Sequence, residues 1–74
     1  MRKVYIEWFD AYTRDAWETF ADAIANTREP LVCRSTGYLL DEDDKHITIC
    51  HTFHEEMVMG ILHIPKGCIK KIRY

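Results

Sequence analysis

Cys50-His51-Thr52-Phe53-His54 is the densest run of metal-capable side chains in this sequence, with His63 and Cys68 as distant candidates for completing a set. Zinc wants four nitrogen or sulfur ligands converging tetrahedrally, and structural sites usually draw them as close pairs such as C-x-x-C. No such pair is present. On a strand, successive side chains alternate between faces, so Cys50 opposes His51 and His51 opposes His54. The expectation is a buried thiol beside two partly exposed imidazoles, with no metal and no cofactor.

Three further constellations carry polar chemistry. Asp41-Glu42-Asp43-Asp44 offers the clustered carboxylates that hard cations prefer, but lacks the glycine and the distant glutamate of a calcium loop. A solvated hairpin tip is the plainer reading, and it would protect a sheet edge from aggregation. Ser35 is the lone serine and has no glycine-rich elbow, so no nucleophile beside an oriented base can be assigned, and the chain is not expected to be an enzyme. Arg34, Ser35 and Thr36, facing Lys66, Lys70, Lys71 and Arg73, form a candidate anion pocket, because guanidinium forks and hydroxyls suit phosphates and Tyr38 or Tyr74 can stack on a base. Its candidate ligands are Arg34, Thr36, Lys66, Lys70 and Arg73; the competing reading is a solvated basic edge strand.

Aromatic residues crowd the first quarter of the chain: Trp8, Phe9, Tyr12 and Trp17. A short chain can hardly bury all of them, and surface aromatics often anchor interfaces. Trp8 and Trp17 are expected to plug the core, while Phe9, Tyr12 and the terminal Tyr74 are candidate interface residues.

The elements that must position these groups follow from periodicity. Arg2 to Phe9 alternates, Val4, Ile6 and Trp8 against Tyr5, Glu7 and Phe9, which predicts a first strand within residues 1–12. Trp17, Phe20, Ala21 and Ile24 then recur at helical spacing. An amphipathic helix over 13–26 is expected, capped by Thr13 or Asp10 and ended by Asn26 and Pro30, with its stripe covering one sheet face. From Leu31 to Tyr74 three apolar runs, Leu31–Leu40, His46–Phe53 and Met57–Ile64, precede Ile64-Pro65-Lys66-Gly67-Cys68, read as one tight helical turn, and a last strand. Gly37 and Gly60 interrupt their runs as bends or bulges. The predicted fold class is α+β: one domain, 1–74, in which the N-terminal helix packs on a strongly bent antiparallel sheet of about five strands spanning 31–74 together with the opening strand.

Composition bounds the rest. At 74 residues the core will be thin. Ten basic residues against twelve acidic ones exclude bulk coating of nucleic acid. The apolar runs fall well short of the roughly 20 residues that cross a bilayer, so no membrane association is expected. Cys33, Cys50 and Cys68 cannot all pair within one chain. With no signal peptide expected, a reducing cytoplasm is the simplest setting. The acidic points Asp41–Asp44 and Glu55-Glu56, set against the basic Lys66, Lys70, Lys71 and Arg73, suit docking of identical subunits.

Thr36-Gly37-Tyr38-Leu39-Leu40-Asp41-Glu42-Asp43, Ile47-Thr48-Ile49, Gly60, and Ile64-Pro65-Lys66-Gly67 with Ile69 and Ile72 together resemble a group of short bacteriophage and prophage proteins. Val4 to Phe9, Asp10-Ala11 and Trp17 are similar too. The pattern also resembles SH3-like and Sm-like small barrels, in which a helix precedes a bent five-stranded sheet and a helical turn precedes the last strand. Here the helix follows a strand instead. The resemblance implies a barrel fold and a phage setting within a host cell's cytoplasm. The expected function is a non-enzymatic accessory protein that binds a host protein, in the role of a defence inhibitor. The alternative is a homo-oligomer that captures a nucleotide or other phosphate-bearing anion at a subunit junction.

Overall fold

A computed structural model describes all residues, 1–74. The strands are β1 (Lys3–Asp10), β2 (Leu31–Glu42), β3 (His46–His54), β4 (Met57–Pro65) and β5 (Ile69–Arg73). A helix α1 (Phe20–Ala25) interrupts the β1–β2 connection, and a 3-10 turn (Lys66–Cys68) joins β4 to β5. All pairings are antiparallel, in the order β4-β3-β2-β1-β5.

Alternation decides which residues go inside. Val4 and Ile6 of β1, Ile47 and Ile49 of β3 and Ile64 of β4 are the buried cluster, with Trp8, Leu39, Leu62, Cys68, Ile69 and Ile72 partly buried around it. Burying a side chain of this size fully is worth about 1.5–3 kcal/mol, so a cluster this small gives modest stability. The acidic tip is a narrower turn than the sequence suggests: Asp41 and Glu42 belong to β2 and pair with Thr48 and Ile47, leaving residues 43–45 to make the turn. Asp43 Oδ1 accepts from the backbone N–H of Lys45 at 2.8 Å and of His46 at 2.6 Å, and its own N–H donates to the His46 carbonyl at 3.0 Å. A carboxylate holding two backbone donors stabilises the turn by mimicking a main-chain hydrogen bond.

Two expectations fail. The helix does not run over 13–26 and does not cover the sheet: α1 spans only Phe20–Ala25, and none of its residues is buried. Trp17, placed at a core position by its spacing, is fully exposed, and Phe20 is 92% exposed. Helices this short are marginal without tertiary packing, and Thr13, Asp15, Trp17 and Thr19 are all weak helix formers. Thr19, not Thr13 or Asp10, is the N-cap, its hydroxyl accepting from the Asp22 N–H at 3.1 Å. Arg14 ties the preceding segment to the helix end, pairing with Glu18 at 3.0 Å and donating to the carbonyls of Asn26 and Ala23.

The sheet also does not close into a small barrel. β4 and β5 are its opposite edges and are not hydrogen-bonded to each other, and the molecule extends over 52 × 21 × 17 Å. The cause lies in the β2–β3 ladder, which runs only between Glu42↔Ile47 and Tyr38↔Cys50. Beyond that rung the β1–β2 ribbon and the β3–β4 hairpin part company. Gly37 marks the divide: a Cβ there would stand 2.6 Å from the Cys50 carbonyl oxygen, so only glycine lets the two backbones approach so closely. The register shift in this ladder falls between Leu39 and Asp41, just past the expected glycine.

Candidate functional site

The divergence leaves a projecting arm, the outer part of the β3–β4 hairpin. Every residue from His51 to Ile61 is exposed, although β3 and β4 stay paired out to His54↔Met57. A two-residue turn, Glu55-Glu56, closes the arm, with Glu55 in the left-handed region at φ 51. Met57 at 71%, Met59 at 61% and Ile61 at 60% exposure alternate along β4, so one strand face is a row of large apolar groups in water. Phe53, Met57, Val58 and Met59 line an open hollow of about 340 Å³ near the tip. No Lys, Arg, Asp or Glu interrupts Met57–Pro65, so β4 is an edge strand without the charges that usually block further pairing.

A second backbone edge lies inside the fork. Leu31–Gly37 of β2 pairs only with β1, and His51–His54 of β3 has no partner on the β2 side. Between them an open cleft of about 270 Å³ is lined by Ser35, Thr36, Cys50, His51, Gly60 and others. The β3–β4 ladder skips the His51/Gly60 rung, and Gly60 adopts φ 71 beneath the His51 ring.

The expected anion pocket separates into two groups. Lys66 bonds Glu42 at 2.9 Å, and Tyr74 donates to the same carboxylate at 2.7 Å, with Arg2 4.8 Å from the Tyr74 ring centre. Lys66 and Tyr74 hold Glu42 below the ordinary carboxylate value, while Glu42 raises both Lys66 and Tyr74. Lys66 is thus neutralised in its own protein. It also sits at the Glu42 end of β2, and Arg34 lies eight residues along that strand, about 26 Å away at the rise of extended chain. Arg34, Thr36 and Arg73 stay together on the sheet face opposite the core, flanking Glu7 and Tyr5 of β1, with Lys70 at the β1–β5 irregularity.

The interface candidates are all exposed: Phe9 at 38%, Tyr12 at 43% and Tyr74 at 52%. Tyr74 is nonetheless committed to Glu42, and Tyr12 donates weakly to the Glu29 carbonyl at 3.4 Å. Trp8 sits against the core and donates to Ser35 Oγ at 3.0 Å. The metal-capable residues do not converge. His51 Nδ1 lies 2.6 Å from Thr52 Oγ1, His63 Nδ1 lies 2.6 Å from Thr48 Oγ1, and no three His, Cys, Asp or Glu side chains are grouped to hold an ion. Cys33, Cys50 and Cys68 are free thiols, and no helix is long and apolar enough to cross a membrane.

Sequence reasoning missed the arm, although Met57, Met59 and Ile61 carried its signal: apolar residues at every second position of a charge-free strand. Periodicity shows that such residues share a face. It does not show whether another layer covers that face.

No family model matches this chain, and no match was found among curated proteins or solved structures. None of these comparisons links the chain to phage proteins.

Proposed function

We propose that this chain is a non-enzymatic protein-binding module that acts by strand addition, its β3–β4 arm docking on a second polypeptide. One observation carries the reading: the arm joins unpaired backbone edges to a row of exposed apolar side chains, Met57, Met59 and Ile61. Strand addition uses such a pairing of features, with main-chain bonds supplying affinity and alternate side chains supplying specificity. Burial points the same way. Only seven residues are buried, whereas Trp17, Phe20, Met57, Met59 and Ile61 are all more than half exposed. Ser35 is engaged by Trp8 and His51 by Thr52, which supports a role without catalysis.

The first partner is a second copy of this chain, giving a homo-oligomer; in the phage setting implied by the resemblance, the outside partner is a host protein. Sedimentation velocity across about 1–100 μM tests the first, a range bracketing the affinity of a modest interface. The wild type should associate, and Met57→Glu/Met59→Glu should stay monomeric with an unchanged circular dichroism spectrum. A wild type that remains monomeric throughout, or a charged variant that assembles equally well, would remove the basis for self-association.

A further inference from the structure

We propose that the sheet face opposite the core carries a binding site for a compact phosphate-bearing anion, built around Tyr5 by Arg34, Lys71 and Arg73. Register fixes the arrangement. Across the central strand β1, Thr36 and Arg73 flank Tyr5, and Arg34 and Lys71 flank Glu7. Directly paired antiparallel residues share a face, and Tyr5 and Glu7 lie two apart on one strand, so all six project together. This site is independent of the arm and of Lys66.

The charge balance on this face is uneven. Glu7 is the single carboxylate in the array, and its partner is the Tyr5 hydroxyl, which donates to it. Arg34, Lys71 and Arg73, with Lys70 beside them, take part in no ion pair, whereas Lys66 and Arg14 both do. The Arg73 guanidinium lies 5.6 Å from the Tyr5 ring centre, which holds one fork over the middle of the array. Arg34 and Arg73 stand on opposite sides of β1, two strand spacings across and two residues along, so their backbones are about 12 Å apart. A lone carboxylate engages one fork; a diphosphate has enough charge and acceptor oxygens to engage both, with Lys71 as a point charge and the Thr36 hydroxyl as a donor.

The test is an amide NMR titration of the full chain at about 0.15 M salt, where long-range surface attraction is screened. Inorganic pyrophosphate and ADP are the probes, since a site that reads phosphates accepts both. Saturable shifts at Tyr5, Thr36 and Arg73 are expected with each. Arg34→Gln and Arg73→Gln should each weaken pyrophosphate about tenfold, the scale of one charge-assisted bond. Glu7→Gln should tighten it, and Lys66→Gln should leave it unchanged. The proposal is overturned if pyrophosphate gives no saturable shift, if only ADP binds, if the arginine variants bind like the wild type, or if Lys66→Gln weakens binding as much as they do.

Discussion

The His51 imidazole occupies the space that a side chain at Gly60 would need, and Gly60 sits at φ 71, so one residue of the arm is glycine for two separate reasons. Gly60→Ala should therefore cost about 1–3 kcal/mol by chemical denaturation, combining left-handed strain with overpacking. A double-mutant cycle separates the two. In a His51→Ala background the steric part should vanish and the dihedral part remain. Equal costs in both backgrounds would mean that the ring is no obstacle.

Gly37 and Gly67 form a matched contrast. A Cβ at Gly37 would meet the Cys50 carbonyl at 2.6 Å, a backbone atom that cannot swing aside, whereas a Cβ at Gly67 meets nothing within 4 Å. Gly37→Ala should lower stability by about 1–3 kcal/mol and Gly67→Ala by less than about 0.5 kcal/mol. Thermal unfolding of the two variants side by side checks the ranking.

The five strands were legible in the sequence because Val4/Ile6/Trp8 and Ile47/Ile49 alternate with polar residues, and because Pro65 and Gly67 punctuate the final turn. Trp17, Phe20 and Ile24 misled for a physical reason. Their spacing shows that they would share one side of a helix, but it cannot show that a helix forms or that a sheet lies within reach, and here only Phe20–Ala25 is helical. The arm was not legible as a site, and the expected anion pocket was legible only in half. Arg34, Thr36 and Arg73 are brought together by register, while Lys66 is taken by Glu42, a partner that pairs with it only after β2, β3 and the 3-10 turn are assembled.

Glu55 holds a left-handed backbone conformation at the arm's tip, which costs an L residue roughly 1 kcal/mol relative to glycine. Glu55→Gly should raise stability by up to that amount, partly offset by the entropy glycine gains when unfolded. A fall in melting temperature would show that the Glu55 side chain has a stabilising role of its own.

Stability should decline in acid and again in strong base. Glu7, Glu18, Glu42 and Asp43 all have carboxyls held below their ordinary values: Glu7 first by Tyr5, Glu18 by Arg14, Glu42 by Lys66, and Asp43 by the Lys45 backbone N–H. A depressed carboxyl stabilises the fold above its unfolded value, and that contribution is lost as pH falls from about 4.5 through the lower folded value. Lys66, Tyr5 and Tyr74 are raised, Lys66 and Tyr74 chiefly by Glu42 and Tyr5 by Glu7. Their contribution is complete below about pH 10 and lost above it. Denaturation midpoints against pH should show a plateau between these limits. In Glu42→Gln the alkaline shoulder should shrink, because two of the three raised groups lose their partner.

If the β3–β4 arm is a docking edge for another strand, concentration-dependent amide hydrogen exchange reads it directly, residue by residue. In dilute solution the amides of His51–His54 and Met57–Ile61 that are not bonded between β3 and β4 should exchange freely; as concentration rises they should become protected together, while amides in the β1–β2 ladder stay unchanged. Protection that does not vary with concentration, or that develops at Phe20–Ala25 instead, would contradict the arm as the binding surface.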